Sequence, residues 1–67
     1  MNPYGKRLKE LRKEQGLTME QLAAATGCSQ GLISQWERDV SKPSYDWLIA
    51  MAKYFNVTVG YMAGVEE

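Results

Sequence analysis

Gln30, Gly31, Ser34 and Gln35 fall on one side of a short helical stretch, QGLISQWER, whose other side carries Ile33 and Trp36 three residues apart. The outward row is polar, short-chained and uncharged. Its chemistry is therefore hydrogen bonding, not proton transfer or nucleophilic attack. Amide side chains can pair bidentately with adenine on the floor of a DNA major groove, and small residues there allow close approach. The same face would equally suit plain solvent. No other stretch supplies a competing chemistry. The 67 residues include no histidine and a single cysteine, Cys28, so neither a metal-ligand cluster nor an internal disulfide can be assembled. There is no glycine-rich phosphate loop, no nucleophile beside a base, and no second domain to close a cleft. These absences argue against an enzyme, and no cofactor is expected.

The elements that position this face are legible on either side of it. From Thr18 to Arg38 the chain reads as two short helices joined by a tight turn. Thr18 and Gln21 form a capping box in which each side chain satisfies the other residue's backbone N–H. Leu22 and Ala23 point inward, Gly27 breaks the run, and Ser29 caps the second helix. Upstream, Asn2 and Pro3 read as a helix start. Tyr4, Leu8 and Leu11 give a buried stripe there, and Gly16 ends the helix. Lys6, Arg7, Lys9 and Lys13 lie off the stripe, as a solvated face with pairs such as Lys6 to Glu10 or as phosphate contacts.

Downstream, Val40 to Pro43 is a linker, Ser44 a cap, and Asp46 suits the positive end of the next helix. Leu48, Met51, Ala52 and Phe55 form its core stripe. A second apolar row, Trp47, Ala50 and Tyr54, runs beside it and calls for cover that so small a domain does not supply. Val57, Thr58 and Met62 read as a hydrophobic staple around a threonine cap, opening a last short helix that Gly64 ends. The expectation is one all-α domain over residues 1–67, a compact five-helix bundle with 45% hydrophobic residues to fill its core.

LTMEQLAAATGCSQGLISQWERD followed by KPS resembles the helix-turn-helix of the phage repressor and Cro-type (XRE) family of bacterial regulators, and the similarity runs from about Lys6 to Met62. The resemblance implies a lambda-repressor-like DNA-binding domain whose second motif helix, Ser29 to Arg38, lies in the major groove. Gln30 and Gln35 would read base edges, with Ser29, Gly31 and Ser34 allowing or completing the fit. Thr18, Arg38 and Lys42 would contact phosphates. Arg12 would pair with Glu37 as a structural ion pair. Trp47, Tyr54, Val59, Tyr61 and Met62 would meet across a two-fold axis, although Met62 could equally close the monomer's core.

Three positions depart from the family pattern. Met19 stands where many relatives carry a phosphate-bracing glutamine, so that contact is not carried over. Cys28 replaces the usual valine and reads as a small buried hydrophobe, with a redox switch as the alternative. Asp39 replaces glycine, and aspartate tolerates the left-handed conformation better than most residues.

The function implied is sequence-specific transcriptional regulation: a repressor binding double-stranded DNA as a homodimer, on a near-palindromic operator with half-sites roughly 34–36 Å apart. The alternative is a partner-controlled or antitoxin-like regulator that grips another protein through the Trp47, Tyr54 and Tyr61 face. A formal net charge of zero and a pI near 6.2 count against a basic DNA-binding domain. The charge is unevenly spread, however. Residues 1–15 hold five basic groups against two acidic ones, while Glu66 and Glu67 sit at the far end. Modest, salt-sensitive affinity is expected. No stretch approaches the roughly 20 apolar residues of a membrane span and no signal peptide is evident, so a cytoplasmic location is expected. The length fits either a whole Cro-like protein or the DNA-binding half of a longer regulator.

Overall fold

Capping side chains start the helices where the sequence places them. In the computed structural model, which describes residues 3–65, the order is α1 (Pro3–Glu14), α2 (Met19–Thr26), α3 (Gln30–Glu37), α4 (Tyr45–Phe55) and α5 (Val59–Ala63). Thr18 Oγ1 accepts from the Gln21 N–H at 3.0 Å while Gln21 Oε1 accepts from the Thr18 N–H at 2.9 Å. Ser29, Ser44 and Thr58 each accept from the backbone N–H three residues on. Each cap satisfies an N–H that the helix itself leaves unpaired. The expected Asn2 cap lies outside the described residues.

The described helices also end alike. Gly16, Gly27, Asp39, Asn56 and Gly64 all adopt positive φ. The residue after each returns its N–H to a carbonyl five positions back: Leu17 to Arg12, Cys28 to Ala23, Val40 to Gln35, Val57 to Ala52 and Val65 to Gly60, at 2.8–3.0 Å. This closure occupies carbonyls that would otherwise be orphaned. Asp39, with φ 61°, takes the conformation for which glycine would be the easier residue.

Trp36 lies at the centre of the core, 2% exposed, with Tyr4, Leu8, Leu22, Ala23, Ile33, Met51, Ala52, Phe55 and Met62 around it. The Tyr4 ring meets Trp36 edge-on with centroids 5.9 Å apart, and Trp47 tilts against it at the same separation. Such contacts add to the area buried. Four expectations change here. Leu11 and Leu48 are half-buried at the core's margin instead of within it. Trp47 is not a free surface ring, because it packs on Trp36. Met62 is 0% exposed, which withdraws it from the expected subunit contact: a side chain sealed inside one chain has no surface to offer another.

The first turn of α1 lies directly on the end of α3. A Cβ added at Gly5 would run into the Trp36 carbonyl oxygen and crowd the Glu37 Cα. Backbone cannot move aside as a side-chain tip can, so Gly5→Ala should destabilise the domain by about 3 kcal/mol, lowering Tm by more than about 10 °C. Gly31→Ala, which meets nothing within 4 Å, should leave stability unchanged or raise it by up to about 1 kcal/mol through helix propensity. Thermal unfolding of the two variants beside the parent measures both.

Candidate nucleic-acid interface

Arg12, near the end of α1, positions the exposed helix. Its Nε donates to Glu37 Oε2 at 2.7 Å and its Nη2 to Glu37 Oε1 at 2.9 Å, a bidentate pair, while Nη1 donates to the Leu17 carbonyl at 2.8 Å. The side chains of Arg12 and Glu37 are 10% and 2% exposed. Hydrogen bonding to Glu37 raises the guanidinium pKa above its ordinary value against the opposing pull of burial. One charge thereby ties together the end of α1, the link into α2 and the last residue of α3. The pairing expected for these two residues is present in full.

So anchored, α3 turns Ser29, Gln30 and Gly31 to solvent, with Leu32 at 36% exposure beside them. Ser34 and Gln35 are half-buried. All five proposed reading positions thus share the helix and its cap, and all retain surface. Gln35 carries a contact that nothing in the sequence announces: Ser41 Oγ donates to its Oε1 at 3.1 Å. Arg38 is exposed, with Nε 3.4 Å from the Ser34 carbonyl of its own helix. Lys42 is exposed in the following loop and Thr18 at the start of α2. These three flank α3 in the chain, as backbone contacts on either side of a groove would require.

Arg7 is placed differently from either expectation. Its guanidinium carbon lies 4.2 Å from the centre of the Tyr61 ring. A cation over an aromatic face joins α1 to α5 and occupies part of the surface foreseen for a subunit contact. Tyr61 and Val59 are half-buried, whereas Tyr54 keeps 38% exposure and stands edge-on to Phe55. Tyr45, 68% exposed in the first turn of α4, lies half a turn round that helix from Tyr54 and so on a different side. Cys28 is half-buried, and burial pushes its thiol pKa up despite an opposing backbone hydrogen bond at Ser29. Among the described residues no group of histidine, cysteine, aspartate or glutamate could hold a metal ion. Nor is any described helix long and apolar enough to cross a membrane.

The chain thus holds a capped two-helix unit braced from behind by a buried ion pair, and the Helix-turn-helix family model matches residues 8–62. The chain belongs to this family. The uncharacterized HTH-type transcriptional regulator YobD of Bacillus subtilis (strain 168) is 38% identical over 96% of this chain and 57% of its own length. The HTH-type transcriptional regulator ImmR of the same organism is 35% identical over 94% and 50%. This helix-turn-helix chain therefore spans 50–57% of the length of those curated relatives, which are regulators and not enzymes. Among solved structures, the P22 c2 repressor protein in complex with a synthetic operator superposes with a TM-score of 0.86 at 28% identity. That match covers 94% of this chain and 96% of the repressor chain.

The helix-turn-helix brace can be tested by a cycle. Arg12→Ala or Glu37→Ala alone should destabilise by about 3–5 kcal/mol, because each strands a buried charge. Replacing both with apolar residues of similar volume should cost much less than the sum. Denaturant titrations of the singles and the double measure the coupling. Cys28 should behave as an inert thiol. With its folded pKa above its unfolded one, it stays protonated where a free thiol begins to ionise. Its stabilising contribution is intact below the unfolded pKa and is lost as pH rises through the folded one. Alkylation by iodoacetamide near pH 8 should proceed several-fold faster in denaturant than in the native protein.

Proposed function

We propose that this helix-turn-helix domain binds operator DNA in the cytoplasm as a homodimer and represses transcription by occupying the site. The observation that carries this is the polar, uncharged face of α3, exposed at Gln30 and Gly31 and half-buried at Ser34 and Gln35, braced from behind by a buried ion pair. The fold's likeness to an operator-bound repressor supports it. In this reading α3 enters the major groove, Gln30 and Gln35 meet base edges, and Ser29, Gly31 and Ser34 allow the approach. Thr18, Arg38 and Lys42 hold phosphates on either side. Tyr54, Val59 and Tyr61 are the surface for the second copy, with the outer edge of Trp47, and the operator is near-palindromic to match.

The alternative, a protein partner gripping the aromatic face, is favoured by one ring: Tyr54 is 38% exposed. It would use the same face as the second copy, and for either occupant that face is partly covered already, since Trp47 leans on Trp36 and Arg7 lies over Tyr61.

Selection from a pool of randomised duplex DNA near physiological salt, followed by sequencing, separates the two readings. Enrichment of a two-fold symmetric site is the expected result; recovery of random fragments, or of none, would move the function to the aromatic face. On the selected site, Gln35→Ala should lose about 1–3 kcal/mol of discrimination at one base pair. Lys42→Ala should weaken all sequences alike and reduce the slope of log affinity against log salt by about 1. If both variants lose affinity uniformly, Gln35 is not a reader.

A further inference from the structure

Four separate stretches of the chain meet around a cleft of about 130 Å³: Tyr4 in the first turn of α1, Lys42 and Pro43 of the linker, Leu48 of α4 and Ala63 at the end of α5. We propose that this cleft binds a small aromatic carboxylate, which acts as an effector by drawing Lys42 away from DNA. The effector role rests on the reading of Lys42 as a phosphate contact; the binding itself does not.

The walls of the cleft are set before any ligand arrives. Tyr4 is 2% exposed and stands edge-on to Trp36. Pro43 restricts the backbone of Lys42 before it, and Ser44 directly after it is committed to its cap, accepting from the Trp47 N–H at 3.3 Å. On the far side, the Gly64 N–H donates to the Tyr61 carbonyl and the Val65 N–H to that of Gly60, both at 3.0 Å. These bonds hold the end of α5, and with it Ala63. Small ligands are usually taken into such pre-formed hollows between helices.

What the cleft accepts follows from its lining. Tyr4, Pro43, Leu48 and Ala63 offer it mostly carbon, and among the lining residues Lys42 alone is charged. Burial pushes the Tyr4 phenol pKa up from its ordinary value, so no phenolate opposes an anion there. Lys42 itself is exposed at the rim. A dry cavity of roughly 150 Å³ admits benzene, so this volume suits a single ring. A phosphate would leave the carbon lining unmatched, and a neutral ring would leave the ammonium unmatched. A ring bearing one carboxylate answers both. An ammonium so paired is not free to neutralise a phosphate, and each ligand then weakens the other's binding by the same factor.

The test uses benzoate as the probe and benzyl alcohol as its neutral counterpart, at one ionic strength made up with sodium chloride. The methyl resonances of Ala63 and Leu48 are followed by proton–carbon correlation NMR in the chain without DNA. Benzoate should shift them saturably with a Kd of about 1 mM, at least about threefold tighter than benzyl alcohol. Lys42→Met keeps the apolar stem but not the charge, and should lose that advantage. Ala63→Leu fills the hollow and should abolish binding of both probes, with Tm recorded to show that it folds. On the selected operator, saturating benzoate should weaken the parent to the affinity of Lys42→Met and leave that variant unaffected.

Shifts that do not saturate overturn the proposal, as does benzyl alcohol binding as tightly as benzoate, or benzoate binding undiminished in either variant. An operator affinity that saturating benzoate leaves unchanged overturns it too. Each of those results leaves the reading of DNA by α3 standing. By contrast, a Lys42→Met variant with full DNA affinity, or a selection that recovers no site, removes Lys42 as a phosphate contact and the effector role with it.

Discussion

Removing a guanidinium from water is costly unless all of it is paired, and Arg12 meets that demand only if three parts of the chain come to it. Two of its nitrogens need the carboxylate of Glu37 and a third needs the Leu17 carbonyl. The first requirement fixes where α3 ends relative to α1. The second fixes where the chain stands one residue before the Thr18 cap, and so where α2 begins. Both helices of the motif are thereby referred to one point on α1. The angle between them, set locally at Gly27, is held from behind by a group that touches no surface of the reading face.

At its other end α1 is held to α3 by steric fit. Gly5 lets the helix lie against the Trp36 carbonyl, and the Trp36 ring turns inward to receive Tyr4 on one side and Trp47 on the other. Charge at Arg12 and close contact at Gly5 thus grip the same last turn of α3 from two places. The outer face has correspondingly little to do with stability. That separation leaves Gln30, Gly31 and Ser34 without a structural duty, as the proposed reading of DNA requires.

Features set by a few neighbouring residues were open to reading from the chain. The capping box at Thr18, the caps at Ser29, Ser44 and Thr58, and the left-handed Asp39 all lie within local windows, and all stand where expected. Inward residues in the middle of a stripe, such as Leu22, Ile33 and Met51, were equally plain. Residues at the edge of a stripe were not. Leu11, Leu48 and Trp47 could face core or solvent until the neighbouring helix was in place, and Met62 could serve one chain or two. Arg7 looked like any exposed cation because its partner, Tyr61, stands more than fifty positions away. Gly5 gave only the weak sign of a glycine inside a helical pattern. Ser41, a serine in a linker, gave none. The paired Arg12 and Glu37 were anticipated through the family resemblance, since spacing alone does not bring positions 25 apart together.

The helix endings bear on how the chain reaches this structure. Each described helix is closed by a bond spanning six residues, from Leu17 back to Arg12 through to Val65 back to Gly60. Start and stop signals can therefore form before any helix meets another. What is left for the folding search is the docking of short preformed segments joined by tight loops, the kind of topology that folds in microseconds to milliseconds. The slow elements in such a scheme are the contacts with long loops to close, and both belong to α1. Arg7 must find Tyr61 across more than fifty residues of chain, and Gly5 must find Trp36 across some thirty. The docking that completes the fold and the docking that braces α3 are then made by the same helix.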